Sequence, residues 1–375
     1  MRPCPGRLRP SGRIIAMSWQ KERTGMDVHR DNRAGSATVA LVKGDDRYGN
    51  VAKALDLIAD HIDLRGKERI LIKPNFVVTH RPLAMTHVDA VRAVLDFLRP
   101  RTNTVITIAE GSAIGDTFDA FRFLGYTDLA RDYKVELVDL NRGPWIEAPV
   151  YDHSFRDMPL RLSRLVVESD LRISVGPPKT HESVFITLSL KNMVMGSLIR
   201  DQRDEGGTGP AMQIMGTLNR LVPSAIKNDP ALRPIRNMVV QRVMRSDKNA
   251  MHMGYPLINL NLCRLAPLVY PHLAVIDGFV GMEGDGPTSG DPVDLRCAVA
   301  STDFLAADTV AAALMGYDID DVGYLYYCKL KGLGVGDLAK ITVVGQSIAE
   351  CRRPFRPHPN TAQRDWRIEG VEKYL

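Results

Sequence analysis

The densest group of reactive side chains in the sequence lies near the middle of the chain. Lys179 and His181 occur in the segment GPPKTH, and Lys191 and Asn192 follow in the segment SLKNMVMG. A histidine beside a lysine can act as a general acid or base, because the neighbouring cation lowers the pKa of the imidazole. The two lysines can hold a carboxylate or a phosphate. We therefore predict Lys179, His181 and Lys191 as catalytic and Asn192 as substrate-binding. The alternative is a solvated basic loop, although the two prolines argue against a flexible loop because each fixes a φ angle.

Two earlier segments are also suited to an anionic substrate. Lys73 ends the apolar run RILIK, and Asn75 follows it after one proline. Gly111 and Ser112 follow a second apolar run and precede a helical pattern, where backbone N–H groups can bind an anion. We predict these four residues as substrate-binding, the alternative being ordinary turn residues at strand ends.

A third segment, VIDGFVGMEGDGP, is rich in glycine and acidic residues. Asp277 follows a predicted strand, and Glu283 and Asp285 lie in the loop predicted after it. Carboxylates at a strand end suit a hard cation such as Mg²⁺, so we predict these three residues as metal ligands. The alternative is a surface loop with solvated acids.

Apolar runs that alternate with helical patterns must position these segments. Such alternation is typical of an α/β fold, with a mainly parallel sheet and helices on both faces. The predicted strands are residues 37–42, 69–73, 104–109, 134–140, 171–176, 273–276, 297–300 and 341–344. Because ligands bind beyond the carboxyl ends of parallel strands, we expect the basic cluster and the acidic loop to converge at one edge of the sheet.

Capping residues and periodicity predict the helices between these strands. Apolar residues recur at helical spacing over residues 50–62. Thr86 is a candidate N-cap for a helix that ends at Leu98, and Asp303 is a candidate N-cap for the helix Phe304–Met315.

The domain organisation follows from where this alternation begins and ends. We predict a disordered tail over residues 1–35, an α/β domain over 36–349 and a C-terminal extension over 350–375. Residues 200–256 lose the alternation after a polar, glycine-rich start. They are predicted to be a partly helical insertion that contributes no central strand.

Charge and composition exclude several classes of partner. The net charge is +5, but residues 1–25 hold six Lys and Arg against one acid, and the rest of the chain carries equal numbers of both. A balanced body argues against non-specific nucleic-acid binding. No apolar run of about 18 residues predicts a membrane span, and no signal peptide is evident. We therefore expect a soluble, cytoplasmic protein with no nucleic-acid or membrane partner.

Together these segments resemble the DUF362 family over about residues 38–346. The resemblance rests on IKPN (72–75), Thr86, GPPKTH (176–181), SLKNMVMG (189–196), VIDGFVGMEGDGPTSG (275–290), STDFLAADTVAAALMG (301–316) and GLGVGDL (332–338). It implies an α/β fold and no substrate, since family members are mostly of unknown function. Some relatives carry a ferredoxin-like module with cysteine clusters. The five cysteines of this chain are scattered and form no CxxC motif, so an iron–sulfur cluster is not expected here.

Three functions are compatible with these residues. The first is an enzyme that performs acid–base chemistry on a small anionic metabolite carrying a carboxylate or phosphate, with Mg²⁺ as the candidate cofactor. The second is a non-catalytic ligand- or cofactor-binding protein. The third is a redox partner of iron–sulfur proteins. The substrate, the metal and the oligomeric state stay open at the level of sequence.

Overall fold

Strands and helices alternate along much of the chain, as the sequence pattern predicts. The computed structural model describes residues 35–200 and 246–375. The first range contains β1 (Ala37–Lys43), α1 (Arg47–Leu57), β2 (Ile70–Lys73), α2 (Val88–Leu98), β3 (Ile106–Glu110), α3 (Thr117–Phe123), α4 (Tyr126–Asp132), β4 (Val135–Asp139), β5 (Trp145–Tyr151), β6 (Asp157–Ser163), α5 (Arg164–Glu168), β7 (Leu171–Gly176), β8 (Lys179–His181), β9 (Phe185–Thr187) and α6 (Ser189–Ser197). The second contains α7 (Asp247–Ala250), α8 (Tyr255–Val269), β10 (Leu273–Glu283), β11 (Asp291–Ser301), α9 (Phe304–Met315), α10 (Gly323–Leu330), β12 (Ile341–Gly345) and α11 (Ile348–Cys351).

Ten of these strands form one sheet. Its order is β12-β1-β11-β10-β7-β2-β3-β4, and β8 and β9 join it at the outer end of β10. Strand β11 is antiparallel to both of its neighbours, β1 and β10, and β9 is antiparallel to β8. The other pairs are parallel. The predicted mainly parallel α/β sheet is therefore confirmed, while β5 and β6 form a separate hairpin.

Side chains of the sheet alternate between two apolar cores, because successive residues of a strand point to opposite faces. In β2, Ile70 and Ile72 pack into the core beneath helices α1 to α4, and Leu71 packs into the core beneath α6, α8, α9 and α10. Helices thus cover both faces, as predicted. Residues at a strand end inherit the same alternation, which decides the face on which each polar side chain lies.

The capping predictions had different outcomes. Asp303 caps α9, its carboxylate accepting a hydrogen bond from the backbone N–H of Ala306 at 2.9 Å. The prediction for Thr86 was wrong, since the N-cap of α2 is His87. The Thr86 hydroxyl instead accepts from the N–H of Asn75 and donates to the carbonyl of Val175, each at 2.8 Å. It ties the carboxyl ends of β2 and β7 together, and a side chain so engaged cannot also cap a helix.

Strand β10 is much longer than the predicted strand 273–276. It continues through Glu283, because β11 supplies an antiparallel partner as far as Asp291. The segment predicted as an acidic loop is therefore largely the outer half of a long hairpin. The predicted loop around Lys179 is likewise a short strand, β8, which pairs with β9 and contacts Met282 of β10.

Parts of the predicted domain organisation lie outside the described residues. These parts are residues 1–34 of the tail and residues 201–245 of the insertion. The described remainder of the insertion holds α7 and the beginning of α8, and no strand of the ten-stranded sheet comes from it. Residues 350–375 pack on the domain, with Phe355 and Trp366 buried.

The described helices include none that is both long and apolar enough to cross a membrane. The four cysteines in the described ranges are buried free thiols.

Candidate functional site

Lys73, at the carboxyl end of β2, is a fully buried cation whose donors are all used. Its ammonium donates to Glu110 Oε2 at 2.7 Å, to Asn192 Oδ1 at 2.8 Å and to the carbonyl of Pro74 at 3.1 Å. Burial lowers the pKa of Lys73, and the carboxylate of Glu110 opposes that shift. Since an ammonium has three N–H groups, no donor of Lys73 is left for a substrate.

Asn192 is saturated in the same way. Its amide nitrogen donates to Ser174 Oγ at 2.9 Å and to the carbonyl of Lys73 at 3.3 Å. Its amide oxygen accepts from Lys73 and from the Asn75 side chain, the latter at 3.0 Å. These four bonds are the full capacity of a primary amide. Asn192 therefore fixes the start of α6 against the sheet, and Asn75 extends the network to Lys179.

Lys179 lies in β8 and is also fully buried. Its ammonium donates to the side-chain oxygen of Asn75 and, at 2.9 Å, to the carbonyl of Ala84. Burial first, and then the charge of Lys191, lower the pKa of Lys179 to about 7. Two of its three N–H groups thus donate hydrogen bonds. Its ammonium gains or loses a proton near neutral pH.

His181 and Lys191 also keep hydrogen-bonding capacity that the described residues do not use. The Nδ1 atom of His181 accepts from the backbone N–H of Ser183 at 3.0 Å. Lys191 is 6% exposed, and within residues 35–200 and 246–375 its ammonium has no hydrogen-bond or ion-pair partner. Burial lowers the pKa of Lys191 to about 7, with Glu182 opposing the shift. Burial and the charge of Lys191 also hold the pKa of His181 well below its ordinary value.

His252 was missed by the sequence analysis and stands beside His181. The two imidazole rings are nearly parallel, at 19°, with centroids 6.5 Å apart. The Nδ1 atom of His252 lies 2.9 Å from the carbonyl oxygen of Lys248. Burial and the charge of Lys191 lower the pKa of His252. No local motif marks this histidine, because it is 71 positions from its neighbour in a segment predicted to be an insertion.

Asp277 does not join this cluster. Its carboxylate is buried and forms an ion pair with Arg47 at the start of α1, at 3.1 Å. By strand alternation it points to the same face as Val275, which packs beneath α1 and α2, whereas α6 covers the other face. Burial raises the pKa of Asp277 and the guanidinium of Arg47 opposes that shift.

The other two predicted metal ligands face the C-terminal extension. Glu283 accepts from the backbone N–H of Arg356 at 2.9 Å, and Asp285 contacts His358 Nε2 at 3.1 Å. Glu283 is six positions further along an extended strand than Asp277, a distance of roughly 20 Å. No three His, Cys, Asp or Glu side chains in the described ranges are grouped so that they could hold a metal ion. The three carboxylates are therefore not brought together.

The backbone of the acidic segment nevertheless lies beside β8. Met282 pairs with Lys179, and the hydroxyl of Thr180 donates to the carbonyl of Gly284 at 2.9 Å. The predicted convergence thus applies to the backbone of this segment, while its carboxylates point elsewhere.

Gly111 and Ser112 lie at the contact between β3 and α6. The N–H of Gly111 donates to Glu110 Oε1 at 2.9 Å, and a side chain at Gly111 would meet the carbonyl of Gly196 at 2.6 Å. Among residues 35–200 and 246–375, the buried hydroxyl of Ser112 has no hydrogen-bond partner. These residues permit a close approach of helix and strand, next to the Lys73–Glu110 ion pair.

Two surface cavities lie elsewhere on the described chain. One, of about 500 Å³, is lined by residues 59, 60 and 62–65 and by Arg101. The other, of about 330 Å³, is lined by Gly35 and by residues 329, 332, 334–337 and 340. Neither cavity is lined by Lys179, His181, Lys191 or His252. The candidate site is therefore defined by the buried basic side chains of these four residues.

Comparison with known proteins gives a family and distant structural likenesses. A family model described as "Domain of unknown function (DUF362)" matches residues 70–313. A thylakoid-associated protein of Synechocystis sp. is 22% identical over 254 residues, which are 67% of this chain and 64% of that protein, less than two thirds of its length. A lactate racemase apoprotein from Thermoanaerobacterium thermosaccharolyticum aligns with a TM-score of 0.31 and 16% identity over 43% of this chain and 39% of its own. A Thermotoga maritima protein solved by a structural genomics consortium aligns with a TM-score of 0.40 and 12% identity over 78% of this chain and 60% of its own.

Proposed function

Since the chain belongs to the DUF362 family, a domain of unknown function, we propose its activity from its own residues: acid–base catalysis on a small metabolite that carries a carboxylate or phosphate. The proposed site consists of Lys179, His181 and Lys191. The other predicted substrate-binding residues, Lys73 and Asn192 among them, are proposed to position this group.

One observation carries the proposal, which is the buried ammonium of Lys191 without a partner in the described chain. A buried charge that lacks a counter-ion is costly, and the cost falls when an anion binds beside it. Lys179 adds a second charge, and the nearby charge of Lys191 weakens its hold on a proton. A carboxylate or phosphate between them would favour both protonated forms and would be held by two cations.

His181 supplies the acid function. Because Nδ1 accepts from Ser183, the proton of the neutral ring is on Nε2, which makes Nε2–H a hydrogen-bond donor. A neutral imidazole can donate to an oxygen on which negative charge develops. Its depressed pKa keeps the ring neutral at physiological pH. The same residues thus combine anion binding with stabilisation of an oxyanion.

Deuterium exchange tests this function on a panel of candidate substrates. The protein is incubated in D₂O with 2-oxo acids, 2-hydroxy acids and phosphorylated carbonyl compounds, and NMR follows the exchange of C–H for C–D. We expect exchange in at least one compound, and loss of that exchange in Lys191→Met and His181→Asn. The control is Lys53→Met, which removes a lysine of α1 at the surface of the domain.

The outcomes separate the candidate functions. Oxalate, a small dicarboxylate, serves as the probe of anion binding. If the protein binds oxalate but exchanges no compound of the panel, catalysis is contradicted and the ligand-binding alternative is favoured. Exchange that persists unchanged in both variants would place the activity away from this cluster.

A further inference from the structure

We infer that His252 is the proton acceptor that works opposite His181, and that backbone contacts hold the two rings in opposite tautomers. This inference rests on the proposed function and deepens it by naming a second catalytic residue. The corresponding substrate class is a carbon acid, an anion with an acidic C–H bond next to a carbonyl group.

The tautomer of His181 follows from its backbone contact. The N–H of Ser183 points at Nδ1 from 3.0 Å, and a nitrogen that accepts a hydrogen bond cannot carry a proton. The ring therefore has its single proton on Nε2. His181 presents a donor to the site.

His252 has the reverse arrangement. Its Nδ1 atom is 2.9 Å from the carbonyl oxygen of Lys248. A carbonyl oxygen can only accept, so Nδ1 must carry the proton. In the neutral ring, Nε2 then has a free lone pair. His252 presents an acceptor to the site.

The two rings are close enough to share one small substrate. The ring centroids are 6.5 Å apart and the ring planes are nearly parallel, at 19°, so different atoms of one small substrate can reach a nitrogen of each ring. After burial, the charge of Lys191 is the strongest influence that lowers the pKa of both rings. An anion bound by Lys191 would sit beside the donor and the acceptor at once.

The charged groups around the rings favour this division of roles. The further groups that face His181 are cationic or neutral bases, namely Lys179 and His358. The carboxylate of Glu182 faces His252 and favours its protonated form. Burial is the largest influence that lowers the pKa of His252, and the charge of Lys191 is the next. An anionic substrate would offset the charge of Lys191 and so favour proton uptake by His252.

The proposed step is balanced as follows. The C–H bond of the substrate breaks, and its proton forms a new N–H bond at Nε2 of His252. The electron pair passes to the carbonyl oxygen of the substrate, which accepts a hydrogen bond from Nε2–H of His181. Return of a proton from His252 regenerates the carbon acid. In D₂O the proton on Nε2 first exchanges with solvent, and its return then forms a C–D bond.

The tautomers can be read directly by NMR. All nine histidines are labelled with ¹⁵N in the rings, and the two signals are assigned by their loss in His181→Asn and His252→Asn. At pH 7.5 we expect Nε2 of His181 and Nδ1 of His252 to be the protonated atoms. The same tautomer in both rings would overturn the inference, whatever the variants do.

The kinetic test uses the full-length protein and the deuterium exchange assay. In His252→Asn the amide nitrogen can still donate to the Lys248 carbonyl, while the base is lost, so exchange should fall by about 100-fold or more with oxalate binding retained. His181→Gln should keep more activity than His181→Asn, because its amide can replace the Nε2–H donor. Exchange at the wild-type rate in His252→Asn would overturn the role of His252 alone. Absence of exchange in the wild-type protein would overturn the proposed function as well.

Discussion

At the scale of single residues, hydrogen-bonding capacity separates structural from reactive lysines. Lys73 and Lys191 are both buried and both belong to the predicted site. Lys73 has three acceptors, whereas Lys191 has none in the described chain. A ligand must find an unused donor, so Lys191 is the better candidate for contact with substrate.

Replacement of Lys191 by Met should change how anion binding depends on pH. The pKa of Lys191 is lowered to about 7, so the free protein loses this charge as pH rises above that value. For each lysine that must be charged to bind oxalate, deprotonation then weakens oxalate binding by up to about tenfold per pH unit. Lys191→Met should bind oxalate more weakly and with a shallower slope between pH 7 and 8.5, measured by calorimetry. An unchanged slope would exclude Lys191 from the anion site, and Lys53→Met is the matched control.

At the scale of elements, lysines of two neighbouring elements hold the two ends of helix α6. Near its start, Asn192 binds Lys73 of β2. At its end, the ammonium of Lys248 donates to the carbonyls of Met195, at 2.9 Å, and Leu198. Such contacts satisfy carbonyl groups that a helix end leaves unpaired. Together with the contact of Asn192, they fix the position of α6, which carries Lys191.

Replacement of Lys73 by Met should destabilise the fold more than it affects anion binding. It leaves the buried carboxylate of Glu110 without a counter-ion, which typically costs about 3–5 kcal/mol. Urea denaturation should show this loss. The double variant Lys73→Met/Glu110→Gln should recover part of it, because no buried charge remains. If the Lys73→Met protein had wild-type stability and did not bind oxalate, Lys73 would be a substrate-binding residue, as the sequence predicts.

At the scale of the whole molecule, the fold buries basic groups that are hard to keep charged. Burial lowers the pKa of Lys179, Lys191 and Lys248 to about 7 in each case. In the unfolded chain these groups would stay protonated to about pH 10.4. Between those values the folded protein holds fewer protons than the unfolded chain, so its stability must rise with pH.

The free energy of unfolding should therefore increase between pH 7 and 8.5. Each of the three lysines contributes up to about 1.4 kcal/mol per pH unit in this window. Below about pH 7 the contribution levels off, because both states are then protonated. Urea denaturation at both pH values measures the increase, and Lys191→Met should remove one of the three contributions. A flat or falling stability would show that these lysines keep their charge in the folded protein.

The sequence by itself determined the alternation of the main strands and helices and the segments that carry the chemistry, but not the short strands β5, β6, β8 and β9. Strand and helix periodicities depend on residues a few positions apart, so the α/β alternation and the Asp303 cap can be read locally. The proximity of Lys179 to His181 and of Lys191 to Asn192 is equally local. These motifs also carry the family resemblance, which the match over residues 70–313 confirms.

Only the tertiary structure decided what each of these side chains contacts. Strand β10 extends past Asp277 because β11 pairs with it, and that extension separates Asp277 from Glu283. His252 stands beside His181 because α6, α7 and β8 pack together, although no pattern links the two positions. The physical reason is that a side chain's partners depend on which distant elements pair and on the face that each residue takes. A local sequence pattern indicates neither which distant elements pair nor which face each residue takes.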